Sequence, residues 1–425
     1  MGRVGLKSHW FRVSLWLLSG VLLLSCERDE LDRSDLDLQI QIVSPDPSLV
    51  VTADTLRVRL KLIPDDSLRF DELTIDGIRP VFKDGGYECL LNLSGRGKRI
   101  PVPIKIRVDG QVRYTDSLRL VKFTWQSPVL AGHLTQPRAN HATILHSNDR
   151  LLTSGGVSGY YDPALKSTEY FSLLSGSSDS LPSWNLLHAR AGHAMVSVAR
   201  ESFMVLGGMT SFRPGQAGNN LLPTELVYQF LHTVLDTSDL TADFAWSQSG
   251  SVLLTHGGWN SDYTGRFVID SHSITRTSWK RTGYQLALHS LTPMTATPGL
   301  WFLASGDFSW NYPLMYSFYL GEDNGALYPS DLFFRIIRLD HTATALPGNF
   351  ILIAGGLQNP GPEERLVEEI ELSDLNRGRS YRLPGKLLTA RAAHTAVAAG
   401  SFVYFLGGLD ANRQVLSSIE KMALE

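Results

Sequence analysis

The sequence of 425 residues predicts an all-β protein made of many short strands. Apolar and polar residues alternate over short runs, which 37 glycines and 20 prolines interrupt, and helical periodicity is almost absent. Hydrophobic residues make up 43% of the chain and charged residues 19%, which excludes a disordered protein. Because 39 basic side chains stand against 42 acidic ones, no electrostatic argument supports a nucleic-acid partner.

The N-terminus carries the pattern of an exported protein. Three basic residues precede an apolar run over 13–24, which is too short to cross a bilayer of about 30 Å at about 1.5 Å per residue. Such a segment is typical of a secretory signal peptide, here 1–25. Its last residues and Cys26 read Leu-Leu-Ser-Cys and resemble a bacterial lipobox, which implies that Cys26 is acylated. The alternative is an ordinary signal peptide with a chance cysteine at its cleavage site.

A charged tether is predicted over 26–36. Residues 27–35 read Glu-Arg-Asp-Glu-Leu-Asp-Arg-Ser-Asp and resemble the acidic export signals of Bacteroidota lipoproteins, although a solvated linker would look the same. We therefore expect a lipid-anchored protein of the bacterial outer membrane, facing the periplasm or the cell surface. Cys89 is the only other cysteine, so no intramolecular disulfide is expected once Cys26 carries lipid.

Residues 37–122 predict a small β-sandwich. Strict alternation gives each strand one buried face, and Asp109-Gly110 marks a hairpin turn. Cys89 is in phase with its apolar neighbours and is expected in the core. Six or seven such strands favour an immunoglobulin-like sandwich, but other sandwich topologies give the same pattern. The alternation is seen in Leu56, Val58, Leu60 and Leu62 against Arg57, Arg59 and Lys61.

Residues 123–425 contain a repeat. Glycine pairs follow short apolar runs at intervals of 49 to 52 residues, and a period of this size indicates six copies of one supersecondary unit. The pairs are Gly155-Gly156, Gly207-Gly208, Gly257-Gly258, Gly355-Gly356 and Gly407-Gly408, with Gly306-Asp307 in the remaining place. Four repeats also carry Arg-x-x-His, 13 or 14 residues before the first glycine. These segments begin at Arg138, Arg190, Arg338 and Arg391 and end at His141, His193, His341 and His394.

Arg-x-x-His, two strands and Gly-Gly together resemble the kelch repeat. The resemblance covers about 300 residues and implies a six-bladed β-propeller whose blades are four-stranded antiparallel sheets. The third and fourth repeats depart from the pattern, since Asp243 and Thr292 occupy the expected histidine positions. The last repeat ends at its third strand. Because an open ring would expose strand edges, we expect the segment around Trp125 to supply the missing outer strand.

Loops after Gly-Gly and loops before Arg-x-x-His are expected on one face of the propeller, since adjacent strands alternate in direction. Aromatic rings and polar groups in the first four repeats predict a binding surface there, with Trp259 and Trp310 as first choices. The alternative is that the rings pack on each other and plug the channel mouth. The candidate ligand-binding residues are Tyr160, Tyr161, Phe212, Arg213, Trp259, Asn260, Tyr263, Phe308, Trp310 and Tyr312.

The repeated charged residues are expected to brace the fold. A symmetric ring spreads such residues too far apart to bind one ion, so no metal is expected. Asp262 and Asp307 are the weak candidates for the carboxylate pair that hydrolases use. No cysteine lies in 123–425, which excludes the copper and cysteine–tyrosine chemistry of kelch proteins similar to galactose oxidase. The third-strand glutamates expected to pair with basic groups are Glu169, Glu225, Glu369 and Glu420.

The sequence therefore favours a monomeric binding module for a glycan or an envelope protein, without a cofactor. Two alternatives remain open on the same architecture. One is a cofactor-free carbohydrate-active enzyme, an epimerase or hydrolase acting on the loop face; kelch-type sialic acid epimerases share the blade count and need no cofactor. The other is a structural subunit of an envelope complex.

Overall fold

A computed structural model describes residues 39–424 with gaps. The predicted signal peptide and tether, including Cys26, lie outside the described residues. Within the described part, no helix is long and apolar enough to cross a bilayer. The gaps are 45–50, 52, 64–69, 124, 200–201, 211–221, 229–230, 238–244, 258–261, 271–272, 283–287, 308–312, 324, 331, 333 and 359–364.

Seven antiparallel strands form a two-layer sandwich. One sheet has the order β1-β2-β5-β4 and the other β3-β6-β7, which is the strand order of constant-type immunoglobulin domains. The strands are β1 (Gln39–Ser44), β2 (Thr55–Ile63), β3 (Glu72–Ile75), β4 (Val81–Lys83), β5 (Gly86–Asn92), β6 (Arg99–Val108) and β7 (Gln111–Val121).

The core of the sandwich lies between its two sheets. Alternate residues of both sheets, such as Leu60 and Ile106, are fully buried. Cys89 lies among them, as predicted, and burial is the main cause that raises the pKa of its thiol to about 11. The predicted hairpin is also confirmed, because Asp109 and Gly110 both have positive φ and join β6 to β7.

The described residues after the sandwich form six four-stranded antiparallel sheets in a propeller-type fold, and these sheets are here called blades 1 to 6. A single strand, β8 (Val129–His133), precedes blade 1 in the chain. Blade 1 contains β9 (Ala142–Ser147), β10 (Arg150–Ser154), β11 (Thr168–Ser172) and β12 (Ser178–Ser180). Blade 2 contains β13 (Ala194–Ala199), β14 (Ser202–Leu206), β15 (Pro223–Tyr228) and β16 (Leu231–Thr237). Blade 3 contains β17 (Ala245–Ser249), β18 (Val252–His256), β19 (Tyr263–Ile269) and β20 (Ile274–Arg281).

The remaining blades follow the same order. Blade 4 contains β21 (Ser290–Pro293), β22 (Leu300–Asp307), β23 (Pro313–Gly321) and β24 (Leu327–Pro329). Blade 5 contains β25 (Thr342–Leu346), β26 (Phe350–Ala354), β29 (Glu369–Asp374) and β30 (Arg379–Lys386), with a short ribbon of β27 (Leu357–Gln358) and β28 (Arg365–Leu366) between them. Blade 6 contains β31 (Thr395–Ala399), β32 (Phe402–Leu406), β33 (Ser418–Ala423) and the early strand β8.

Hydrophobic clusters between neighbouring blades hold the ring together. Each second strand sends alternate side chains to the blade on either side; on β22, Trp301 packs toward blade 3 and Phe302 toward blade 5. The inner strands are rich in alanine and threonine, as in β25 and β31, and short side chains let them crowd around the axis. Buried residues of the six contacts include Phe203, Leu253, Trp301, Phe302, Phe350 and Tyr404.

The segment before blade 1 closes the ring, as predicted. Its paired strand is β8, in which Gly132 lies opposite Ile419 of β33, and Trp125 forms a separate bridge with Leu424. The indole of Trp125 packs on Gly385 of blade 5, where an added Cβ would come within 2.5 Å of the ring. The outer strand of blade 6 therefore comes from the opposite end of the propeller chain.

The sandwich contacts blade 5 through one end of its sheets. The Arg99 guanidinium binds the buried Asp374 carboxylate through two nitrogens, at 2.7 and 2.9 Å, and lies 4.1 Å from the centre of the Phe350 ring. Phe123 meets the same ring edge-on, with centroids 4.8 Å apart. A bidentate ion pair next to an edge-on pair of aromatic rings favours one fixed orientation of the two regions.

Candidate functional site

The Gly-Gly pairs and the Arg-x-x-His segments lie at one end of the propeller, here called the loop face. In blades 1, 2, 5 and 6 the residue after Gly-Gly forms a backbone bridge with the residue after the arginine. The predicted common face is confirmed for these blades. The bridges are Ala139–Val157, Ala191–Met209, Leu339–Leu357 and Ala392–Leu409.

Each arginine of Arg-x-x-His is at most 1% exposed and is held inside its own blade. It donates to the carbonyl of the first glycine at 2.7 to 2.9 Å and to a buried third-strand glutamate. Burial lowers the pKa of Arg138, and the carboxylate of Glu169 acts in the opposite direction. These arginines are therefore structural charges already paired. The pairs are Arg138–Glu169, Arg190–Glu225, Arg338–Glu371 and Arg391–Glu420.

Glu369 pairs with a basic group, as expected, but the glutamate that binds the Arg-x-x-His arginine of blade 5 is Glu371. Strand register decides the partner: the paired glutamate always lies opposite the penultimate residue of the second strand, as Glu371 lies opposite Ile353. Loop length between Gly-Gly and the third strand varies, so spacing along the sequence does not locate this position. Glu369 instead binds the exposed Arg365 at 3.1 Å.

The glycine pairs are required because imidazoles pack against them. An added Cβ on Gly155 would lie 2.6 Å from His193 Cε1 and 2.5 Å from the Arg190 carbonyl oxygen, both in the next blade. Gly155 also has a φ of 62°, which a residue with a Cβ adopts at a cost. The N–H of Gly156 donates to the Arg190 carbonyl at 2.9 Å. The glycine pairs of blades 1, 5 and 6 thus join each of these blades to the next.

The loop-face histidines are buried, and each finds one partner in the preceding blade through Nε2. Where the first residue of the preceding inner strand carries a hydroxyl, that hydroxyl is the partner; Thr342 contacts His394 at 3.1 Å. Where that residue is alanine, the partner comes from the end of the second strand, as with Ser154 and His193 at 3.2 Å. The other pairs are Ser290–His341, Thr395–His141 and His256–His289.

His289, which the sequence pattern missed, occupies the histidine position of blade 4 in place of the expected Thr292. Ser290 pairs with Ala304 as Ala142 pairs with Ser154, so His289 matches the histidine of blade 1. The hairpin of β21 and β22 is two residues longer than its counterpart, and the register makes Ser305 rather than Gly306 the match of Gly155. Together these two differences shifted the spacing by three residues. In blade 3 the predicted position, Asp243, lies outside the described residues.

A chain of backbone hydrogen bonds lines the mouth of the channel on the loop face. In each of five blades one residue with positive φ stands directly before the inner strand or its histidine. In four of these blades, all except blade 4, its N–H donates to the carbonyl of the matching residue in the preceding blade at 2.8 to 3.2 Å. This continuous chain fixes the width of the mouth. Its members are Leu288, Asp340, Ala393, Asn140 and Gly192.

The channel is a cavity of about 510 Å³, within the range of small-molecule sites. Its walls carry hydroxyls and imidazoles, and Asp340 at the mouth is the one ionisable carboxylate among the described lining residues. Burial lowers the pKa of His141 and His341 to about 3 and that of His256 to about 4. The pKa values of His193, His289 and His394 also lie well below the usual value because of burial. These imidazoles are neutral at physiological pH.

Two predicted ligand residues lie together in the loop that follows Gly155-Gly156 on the loop face. Tyr160 and Tyr161 meet edge-on with ring centroids 4.8 Å apart, and Tyr161 is 74% exposed. The Arg413 guanidinium, from the corresponding loop of blade 6, lies 5.0 Å from the Tyr160 centroid. Both loops rest on an apolar cluster that includes Ala393 of the mouth. The loops of blades 6 and 1 therefore form one aromatic and cationic surface.

A second aromatic group stands at the start of β19 in blade 3. The Arg281 guanidinium lies 5.2 Å from the centroid of the predicted ligand residue Tyr263, and its Nε lies 3.6 Å from Asp262. The sequence pattern missed both arginines, because each lies in a strand or loop distant in sequence from the ring it contacts. The charge of Asp262 is balanced by Arg281, which weakens its case as a catalytic acid.

The remaining candidates lie outside the described residues. Asp307 ends β22, but its side chain is not described, so its separation from Asp262 is not known. Across the described residues, no three histidine, cysteine or acidic side chains come together as metal ligands. The candidates outside the description are Phe212, Arg213, Trp259, Asn260, Phe308, Trp310 and Tyr312.

Comparison with known proteins places the fold. No protein-family model matches the chain, and no curated protein matches it. Among solved structures, one entitled "Structure of YjhT" is similar with a TM-score of 0.54 and 11% sequence identity. The likeness covers 69% of this chain and 99% of that chain. The likeness is one of fold. It supports a β-propeller-type architecture for the repeat region and carries no information on activity at this identity.

Proposed function

We propose that this protein is a cell-envelope lipoprotein whose kelch-type propeller binds a neutral glycan on its loop face. The observation that carries the proposal is the exposed Tyr161, with Tyr160 and Arg413, on the same face as a channel whose described lining, apart from Asp340, consists of neutral groups. A flat ring covers the apolar face of a sugar with little loss of side-chain entropy. Hydroxyls, amides and neutral imidazoles then pair with sugar hydroxyls in any orientation.

Apart from Arg413, whose guanidinium lies over the Tyr160 ring, the charges around the channel mouth favour a neutral ligand over an anionic one. The arginines of Arg-x-x-His are buried and paired with glutamates, and the histidines of the mouth are uncharged because of their burial. Arg281 forms an ion pair with Asp262, with 3.6 Å between the Arg281 Nε and the Asp262 carboxylate. An acidic sugar would bring a charge to Asp340 at the mouth, and this repulsion disfavours it.

Isothermal titration against a panel of neutral and acidic oligosaccharides tests the proposal. We expect heat with neutral members of the panel and a loss of about tenfold in affinity on Tyr161→Ala. Tyr328→Ala is the matched control, because Tyr328 is exposed on β24, an outer strand of blade 4, and its removal should leave affinity unchanged. Absence of heat with every neutral glycan, or tighter binding of acidic ones, would contradict the proposal.

The anchor is tested separately. The lipobox resemblance and the apolar run at 13–24 support acylation of Cys26. We expect mass spectrometry of the protein extracted from bacterial membranes to find a lipid-modified N-terminal cysteine, and Cys26→Ala to move the protein to the soluble fraction. An unmodified mature N-terminus would remove the lipoprotein assignment and leave the glycan test unaffected.

A further inference from the structure

One outward face of the sandwich is basic. On the sheet β1-β2-β5-β4, the residues of β2 between the buried Val58, Leu60 and Leu62 point away from the core. Lys61 lies beside Gly86 of β5, where an added Cβ would be 3.6 Å from its Cγ, and Gly86 pairs with Lys83 of β4. The basic residues of this outward face are Arg57, Arg59, Lys61 and Lys83. Glu88 is the one carboxylate on the outward positions of the four described strands, and Arg57 binds it at 3.2 Å.

Apolar side chains lie among these cations. Val81 is 70% exposed and Leu90 is 60% exposed, and the register places Leu90 opposite Arg57 and Val81 opposite Glu88. Together with Lys83 they line a shallow groove of about 280 Å³. Exposed apolar residues rimmed by charges of one sign are a feature of interaction surfaces.

The propeller leaves this face uncovered. The described contacts with blade 5 come from the other sheet of the sandwich and the segment that follows it. They involve Arg99 of β6, Leu120 of β7 and Phe123. None of these residues belongs to β1, β2, β4 or β5. The basic face is therefore open to a partner while the sandwich stays docked on the propeller.

The position of the face along the chain indicates which partner it meets. β1 is an edge strand of the same sheet and begins at Gln39, 13 residues after Cys26. A chain of that length spans at most about 47 Å when fully extended. An acylated Cys26 would therefore keep this sheet within that distance of the bilayer, and this step rests on the lipoprotein part of the proposed function.

We propose that the outward face of β1-β2-β5-β4, here called the basic face, docks on the anionic lipid headgroups of the membrane that holds the anchor. Lysine and arginine side chains are attracted to headgroup phosphates, and Val81 and Leu90 reach the interfacial region. An acyl chain and a basic surface together give the two signals that stable membrane association requires. The sandwich then sets the orientation of the propeller relative to the membrane.

Vesicle sedimentation tests this docking without the acyl chain. The chain from residue 26 onward with Cys26→Ala, which contains the whole described structure, is mixed with phosphatidylcholine vesicles containing about one quarter phosphatidylglycerol, or none. We expect association with the anionic vesicles at low salt and weak association with the neutral ones. Lys61→Gln with Lys83→Gln should weaken the partition coefficient by about 25-fold, at about fivefold for each charge.

The matched control removes two exposed charges from the other sheet, Lys105→Gln with Arg107→Gln on β6. It should change the partition coefficient by less than about twofold, because these residues face away from the basic face. Equal weakening by both pairs, or no preference for anionic vesicles, overturns the proposal. Circular dichroism of each variant shows that the fold is kept. Because the assay uses neither the acyl chain nor a glycan, its failure is distinct from failure of the proposed function.

Discussion

Blades 5, 6, 1 and 2 differ from blades 3 and 4 in how they are joined. The first group, here called the signature arc, repeats the buried Arg–Glu pair and packs a histidine on the preceding glycine pair. Among the described residues, the second group is joined by other contacts, although His289 of blade 4 keeps the histidine position. Gln248 of blade 3 binds the N–H and carbonyl of Ser197 in blade 2 at 3.2 and 3.0 Å, and His256 contacts His289 in blade 4.

The comparison indicates that the repeated Arg–Glu and glycine–histidine contacts serve to join neighbouring sheets, and that other contacts can join sheets in their place. Hydrophobic clusters lie between the blades of both groups, so burial of apolar surface holds the ring in either case. The buried ion pairs add fixed geometry at the loop face, because removing one partner leaves an uncompensated charge. Four variants separate these contributions.

The largest expected effect comes from removing one charge of a signature ion pair. Glu225→Gln leaves the fully buried Arg190 without its counter-charge and should lower the free energy of unfolding by about 3–5 kcal/mol. Glu322→Gln is the control in the other group, because the Arg266–Glu322 pair is partly exposed and should be worth about 1 kcal/mol or less. Urea unfolding measures both. Equal losses would mean that the signature pair has no special structural role.

Substitution of a signature glycine should have the next largest effect. Gly155→Ala introduces a Cβ against His193 and the Arg190 carbonyl at a positive φ, and should cost about 2–4 kcal/mol. Gly250→Ala in blade 3 also has a positive φ but meets nothing within 4 Å, so it should cost about 1 kcal/mol. The difference between the two measures the glycine–histidine contact. Similar unfolding midpoints would show that φ alone selects glycine.

Acid should destabilise the protein through its buried histidines. An unfolded histidine has a pKa of about 6.5, whereas burial lowers the pKa of His256 to about 4. The unfolded state therefore binds the proton first as pH falls below about 6.5, and each such histidine costs about 1.4 kcal/mol per pH unit until its folded pKa is reached. His256→Ser copies the arrangement at Ser154 and should reduce this slope with little change at pH 7. An unchanged dependence of the free energy of unfolding on pH would contradict the contribution assigned to His256.

The smallest expected effect comes from moving the hydroxyl partner of a buried histidine. That partner lies either on the first residue of the preceding inner strand or at the end of the preceding second strand. Ser154→Ala removes the hydroxyl that contacts His193 and should cost about 1 kcal/mol. The double variant Ala142→Ser with Ser154→Ala moves the hydroxyl to the position that Thr342 and Thr395 use in blades 5 and 6. We expect part of the stability to return in thermal unfolding. A double variant no more stable than Ser154→Ala would show that a hydroxyl at position 142 does not replace the one at position 154 as the partner of His193.

The sequence predicted the strand content and the repeat better than it predicted partners. Periodicity located the signature segments, because each of their arginines binds the carbonyl of the first glycine in its own blade. It missed His289 and chose Glu369 instead of Glu371, because strand pairing is set by register while spacing in sequence changes with turn length. The Arg413–Tyr160 contact joins loops of two blades, whereas Arg281 meets Tyr263 because the register places them opposite each other on β19 and β20. Spacing in the sequence predicts neither contact.

The origin of β8 has a mechanical consequence. The outer strand of blade 6 directly follows the sandwich in the chain, so tension applied at the N-terminus is directed toward the seam between β8 and β33. Before it reaches that seam, the pull must detach Arg99 from Asp374 and Phe123 from Phe350 on blade 5. A force applied at the N-terminus therefore acts first on the Arg99–Asp374 ion pair and the Phe123–Phe350 contact. The pairing of β8 with β33 bears that force only after these contacts have broken.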